Sequence, residues 1–191
     1  MAEERAAPGR RPEPTGGVAT QLTRHELGAR WRGEGRGRRD ATLIGHGTSP
    51  VYLDTSALAK IYVAEVESDE LEAALLGRRD LIVSDLAVTE LTSAIARRVR
   101  DAHLSASHAQ RIYHRVARDL TTGEFRRAEL ATGVHREAER LLMALGRQVP
   151  LRAADALHLA LAALLGARAI VTFDRRMEAA ARVLGTFELP A

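Results

Sequence analysis

Four acidic residues in this 191-residue chain fall where an α/β domain gathers ligands: Asp54, Glu90, Asp155 and Asp174. Asp54 directly follows the apolar run Val51-Tyr52-Leu53, and Asp174 directly follows the run from Ala169 to Phe173. Sites in open parallel sheets form at the carboxyl ends of such strands. Glu90 comes about a turn and a half into the segment after a second apolar run, Leu81-Ile82-Val83. Asp155 sits inside Ala153-Ala154-Asp155-Ala156-Leu157-His158-Leu159-Ala160, where a lone carboxylate costs several kcal/mol unless it is paired or metal-bound. Clustered carboxylates repel one another, and a divalent cation removes that penalty. Hard ions such as Mg²⁺ or Mn²⁺ take oxygen ligands and keep exchangeable waters. Such an ion holds a phosphate and lowers the pKa of an attacking water, which is phosphodiester hydrolysis without a protein nucleophile.

Taken singly, each residue has a plainer reading. Asp54 and Asp174 are good helix N-caps, Glu90 suits a solvated helix face, and Asp155 suits the first turn of a helix dipole. Only their joint occurrence favours a metal site.

The elements that must position them are short apolar strands alternating with helices. Strands are expected at 51–53, 81–83 and 169–173, with short ones at 125–130 and 187–189. Helices are expected at 55–64, 67–76, 85–100, 106–120, 134–145, 151–165 and 175–184. Ser84 is placed to N-cap the helix at 85–100, and Gly77 and Gly185 to terminate helices. This alternation implies a three-layer α/β/α domain around a mostly parallel sheet.

Residues 1–48 differ in kind from 49–191. Nine of the 15 glycines and four of the six prolines lie before Val51, and no apolar face builds up there. The segment reads as a disordered or linker-like extension, or as a start codon assigned too early. Residues 1–50 carry nine arginines against six acidic residues, whereas 51–191 carry 19 basic and 19 acidic ones. The domain is thus not a basic body that binds nucleic acid by charge alone. There are no cysteines, which excludes disulfides and thiolate zinc sites, and the seven histidines show no zinc-ligand spacing. The apolar stretch from Ala153 to Ala169 is too short and too polar to span a bilayer. Arg10-Arg11 is followed by no apolar segment of the kind export signals need. A soluble, cytoplasmic protein is expected.

The acidic residues lie in segments that resemble the PIN-domain nucleases, and the VapC toxins of VapBC toxin–antitoxin pairs in particular. Val51 to Lys60 (VYLDTSALAK) looks like their first motif, and Val88-Thr89-Glu90-Leu91 fits the second acidic position. Ala154 to Ala160 is similar to the third motif and Val171 to Arg176 to the fourth. No one motif is decisive; their order from Val51 to Pro190 makes the match. The resemblance implies a PIN-like fold in which Asp54, Glu90, Asp155 and Asp174 line one acidic pocket, act as metal ligands and carry catalysis with Mg²⁺ or Mn²⁺ on an RNA substrate. It implies that Ser56 and Thr172 hydrogen-bond those carboxylates or their waters, as supporting residues do around metals. It further implies a homodimer and a small VapB-like antitoxin over the groove. His158 stands three residues after Asp155 on one helix face; it reads as a packed core histidine rather than a general base.

Arginine is suited to phosphate by its fork of donors. Arg97, Arg98 and Arg100 follow Glu90, and Arg175 and Arg176 follow Asp174, so these five are the candidates for guiding an RNA backbone. Solvated helix faces are the plainer account of them, since arginine dominates the basic residues throughout the chain. Two other functions compete: a PIN nuclease of RNA maturation or decay without an antitoxin, and a degenerate PIN domain that only binds. A phosphatase of the haloacid-dehalogenase type also begins with Asp after a strand, but the second Asp it needs is Ser56 here.

Overall fold

The computed structural model describes residues 49–189. The N-terminal extension, residues 1–48, lies outside the described residues.

The described chain forms four strands and seven helices. In order they are β1 (Val51–Leu53), α1 (Thr55–Tyr62), α2 (Ser68–Leu75), β2 (Leu81–Ser84), α3 (Asp85–Arg100) and α4 (Ala106–Thr121), followed by β3 (Arg126–Ala128), α5 (Thr132–Leu145), α6 (Ala153–Leu164), β4 (Ala169–Val171) and α7 (Arg175–Leu184). The strands form one sheet in the order β3-β2-β1-β4, and every pairing is parallel.

Side chains alternate between the faces of a strand, and here each face meets its own layer. Val51, Leu53, Leu81, Val83, Ala169 and Val171 pack with the apolar sides of α1, α2, α3 and α4. Tyr52, Ile82 and Ile170 point the other way and pack with α5, α6 and α7. Burial on both faces explains why the strands read as unbroken apolar runs. The architecture is therefore the three-layer α/β/α domain expected. Among the described residues no helix is long and apolar enough to cross a membrane.

The topology locates a crevice. The chain steps from β1 to β2 to β3 in one direction, then returns to the far side of β1 as β4. Beside β1 the direction of winding reverses, and open α/β sheets bind ligands at that point, outside the carboxyl ends of the strands. Asp54 follows β1 and Asp174 follows β4 across this crevice.

Several boundaries differ from the sequence reading. β4 stops at Val171 rather than Phe173 because the next two residues bond to the site instead of the ladder. Thr172 Oγ1 donates to Asp54 and the Phe173 N–H donates to Ser56. Residues 187–189 make one isolated bridge, Glu188 to Ala169, and no strand. The expected strand at 125–130 is reduced to β3, since Phe125 turns inward to the core and only three residues pair with β2. Ser84 does cap α3, accepting from the Ala87 N–H at 3.1 Å. Gly77 and Gly185 adopt φ of 75° and 64°, the left-handed geometry that lets the chain leave α2 and α7.

Ile82 is fully buried in the sheet beneath α5 and α6. Truncating it to Ala is expected to lower unfolding free energy by about 2–5 kcal/mol. Urea denaturation of the metal-free chain checks this, and a loss under about 1 kcal/mol would contradict the two-sided burial.

Candidate active site

Asp54 is the most buried of the four acidic residues, at 4% exposure. It is the N-cap of α1, so its Oδ1 accepts the Ala57 N–H at 2.8 Å. Ser56 Oγ lies 2.7 Å from Oδ1 and 2.9 Å from Oδ2 and donates into the carboxylate. Thr172 Oγ1 donates to Oδ2 from across the crevice at 2.7 Å. All these donors are neutral. Burial pushes the Asp54 carboxyl above its ordinary range, and the bonds from Thr172, Ala57 and Ser56 offset only part of that rise. Capping and site building are here one arrangement, since the bonds that start α1 also orient the carboxylate.

Glu90 projects from α3 and is held from two other elements. Its Oε2 receives the Thr55 hydroxyl at the start of α1 and lies 2.9 Å from His158 Nε2 on α6. The His158 bond, helped by Thr55, holds Glu90 below the usual glutamate range against the opposing effect of partial burial.

Asp155 is in the first turn of α6, where its Oδ2 accepts the Arg152 N–H at 3.0 Å. Asp174 is the N-cap of α7 and accepts the Arg176 N–H at 2.7 Å. Burial acts to raise Asp174, but the Arg176 N–H and guanidinium and the Met177 N–H outweigh it and hold the carboxyl below its ordinary value. The Asp174 N–H in turn donates to Thr172 Oγ1 at 3.1 Å, so Thr172 links Asp54 to Asp174.

All four carboxylates line a single cavity of about 420 Å³. Arg97 and Arg98 line it too, and Arg98 is paired with Glu65 at 2.6 Å. Arg100, Arg175 and Arg176 are not among its lining residues. Arg176 instead reaches Asp174 Oδ2 at 3.4 Å. The cavity wall also includes Thr55, Glu65, Arg152 and His158, none of which the sequence marked as site residues. Thr55 had a usable signal, being adjacent to Asp54 at the start of a helix. Arg152 had none, because its place depends on how α6 enters the crevice. Lys60 is turned from the cavity by an ion pair to Glu67 at 2.8 Å, and its ammonium stands 4.7 Å from the Phe173 ring.

An acidic cavity at the reversal point of a parallel sheet places this chain among the α/β domains that bind ligands at the carboxyl edge of their strands. Among these, the PIN domain family model matches residues 51–183, and the chain belongs to that family. A relative named Ribonuclease VapC46, from Mycobacterium tuberculosis, is 33% identical over 139 residues, which cover 71% of this chain and 92% of that protein. The crystal structure of Mycobacterium tuberculosis VapC20, a sarcin-ricin loop cleaving toxin, superposes with a TM-score of 0.56 at 17% identity, covering 74% of this chain and 99% of that one. FitAcB from Neisseria gonorrhoeae gives a TM-score of 0.58 at 18% identity, covering 74% of this chain and 96% of that one. At those identities the structural likeness speaks for the fold. The chain is a VapC-like member of the PIN-domain family.

The donor set suits a hard cation. It consists of carboxylate oxygens, and the most buried of them, Asp54, has only neutral donors around it. Among the described residues no group of three His, Cys, Asp or Glu side chains stands close enough together to hold a metal ion by itself. An ion held here would share its shell with water and substrate oxygens, as Mg²⁺ commonly does.

The raised Asp54 pKa has a stability consequence of definite sign. Its favourable contribution is present while the carboxyl is protonated and is lost as pH rises through the folded-state pKa. In EDTA, Asp54→Asn is expected to gain melting temperature over wild type as pH rises from about 4.5 to about 8. Thermal melts across that range check this; a gap between the two proteins independent of pH would contradict it. Glu90 and Asp174 have the opposite sign, stabilising above the ordinary carboxylate range and losing effect as acid protonates them, so only the wild type-to-variant difference isolates Asp54.

Proposed function

We propose that this chain is a divalent-metal-dependent endoribonuclease and the toxin component of a VapBC-type pair. The observation that carries the reading is the lining of one cavity by Asp54, Glu90, Asp155 and Asp174 at the carboxyl edge of the sheet. Membership of the PIN-domain family and a relative named as a ribonuclease support it.

In this reading the four carboxylates hold Mg²⁺ or Mn²⁺. When bound, the ion supplies polarisation of the scissile phosphate and activation of water. The protein supplies position. Ser56, Thr172 and the Ala57 N–H hold the Asp54 carboxylate in one orientation. Thr55 and His158 do the same for Glu90, and the Arg152 N–H for Asp155. Arg97 and Arg98, on the wall of the same cavity, meet the phosphates flanking the cut. Their charge also offsets the acidic centre, which would otherwise repel a polyanion. An antitoxin of VapB type would silence this arrangement by placing a basic side chain among the carboxylates. The working form is a cytoplasmic homodimer.

Two measurements test the reading. The full-length chain is expected to cut RNA in Mg²⁺ or Mn²⁺ and not in EDTA. Asp54→Asn should lower the rate at least about a thousandfold, or ~4 kcal/mol of transition-state stabilisation. Growth arrest on expression of wild type but not of this variant would support the toxin role. Equal background from both folded proteins with either metal, and no growth arrest, would leave a domain that only binds. Separately, Arg97→Ala is expected to weaken RNA binding similarly across sequences and to reduce the slope of log K against log salt by about 1. An unchanged salt slope would remove Arg97 from the phosphate path.

A further inference from the structure

The buried interior contains a hydrogen-bonded chain that the acidic quartet does not require. Ser84, Tyr52 and His158 are all nearly inaccessible, at 0%, 0% and 3% exposure. Tyr52 Oη and Ser84 Oγ are hydrogen-bonded at 2.7 Å, and the same Tyr52 oxygen lies 2.8 Å from His158 Nδ1. The two rings meet edge to face, with centroids 5.8 Å apart and planes at 64°. The other nitrogen, Nε2, leaves the core at Glu90 Oε2, 2.9 Å away. An ionised carboxylate only accepts, so Nε2 carries the proton in this bond.

A histidine that merely filled core space would find its partners within its own layer. His158 instead joins the two helical layers. It starts from α6, which packs on one face of the sheet, and ends on α3, which packs on the other. Its bond and that of Thr55 both fall on Oε2 of Glu90, while no described residue donates to Oε1. The carboxylate is thus clamped by one oxygen, with the other left to a cation or its water. Tyr52 clamps His158 in the same way, because the ring cannot swing while Nδ1 is engaged at the far end. Ser84 closes the chain at the end of β2, one residue before the helix that carries Glu90.

We infer that His158 is a positioning residue for Glu90, oriented by Tyr52 and Ser84, and that this chain sets the geometry with which Glu90 takes part in divalent-metal binding. The inference rests on the metal-nuclease reading above and adds to it a residue outside the acidic quartet. Outer groups that orient a ligand commonly affect metal affinity or activity about tenfold to a hundredfold when removed.

The test uses the full-length chain and Mn²⁺ itself, titrated by the electron paramagnetic resonance signal of the free ion, alongside cleavage kinetics and thermal melts. His158→Leu keeps apolar volume but removes the donor. It is expected to weaken Mn²⁺ binding about tenfold to a hundredfold and to lower kcat more than it changes KM. His158→Gln restores an N–H near the position of Nε2 and should recover most of both. Tyr52→Phe, which keeps the ring and the packing, should weaken Mn²⁺ binding by a smaller factor and decides the matter if the leucine variant does not fold. A folded His158→Leu protein that binds Mn²⁺ like wild type, a glutamine variant no better than leucine, or a silent Tyr52→Phe would each overturn the positioning role. A wild type that binds no Mn²⁺, or binds it no better than Asp54→Asn, would instead bring down the metal reading and this inference with it.

Discussion

The carboxylate of Asp54 is the constraint around which this end of the domain is built. It is a carboxyl group at 4% exposure, surrounded by hydroxyl and backbone donors and by no guanidinium or ammonium partner among the described ion pairs. Burying an ionised group without a counter-charge is costly, and its neighbours are arranged to limit that cost. Thr172 and Phe173 leave the β4 ladder to bond Asp54 and Ser56, which is why that strand ends early. Helix α1 starts where it does because the same carboxylate caps it. In the proposed metal-dependent reading, a divalent cation bound here would offset the penalty that these neutral donors leave uncompensated.

The other three carboxylates experience different surroundings. Glu90 and Asp174 are each held below the ordinary range by donors, Glu90 by His158 and Thr55 and Asp174 by the start of α7. One buried, hard-to-ionise group thus stands beside two readily ionised ones. In the metal-nuclease reading proposed above, the two readily ionised groups supply the negative charge that draws a cation in. The fourth, Asp155, enters through the first turn of α6, whose remaining length is core. Rigid elements therefore bring every acidic group to the cavity.

The two helical layers pack on opposite faces of the sheet. The Ser84–Tyr52–His158–Glu90 chain is a polar crossing between them at the carboxyl edge. Each internal member is hydrogen-bonded at both ends, which is the condition under which a buried polar network adds rigidity instead of costing stability. Several of the described arginines serve the surface. Arg127, Arg140, Arg168 and Arg182 pair with acidic neighbours on exposed faces, where each such pair contributes little. Arg97 and Arg98 differ in lining the cavity.

Much of this protein was legible in the residue order. Apolar runs of three or four residues bounded by helices could form only a parallel sheet buried on both faces. The bounds of α3 and α7 follow from Ser84, Asp174 and Gly185, because caps act over one turn and depend on local chemistry. Among the four acidic residues Asp155 stood out singly, as a carboxylate inside an apolar helix, whereas Asp54, Glu90 and Asp174 drew attention only through their joint order along the chain. What the sequence could not contain is pairing across distance. His158 reads as core on its own helix, and only the packing of α6 against α3 brings its second nitrogen to Glu90, 68 positions away. Tyr52 reads as an ordinary strand aromatic until β1 is set beside β2 and beneath α6. Arg97 and Arg98 reach the cavity while Arg100, two residues further along α3, does not, because helical phase against a curved wall decides which side chains face inward. Local hydrogen bonds and burial costs are written residue by residue; the meeting of side chains from different layers is decided only when the layers close on the sheet.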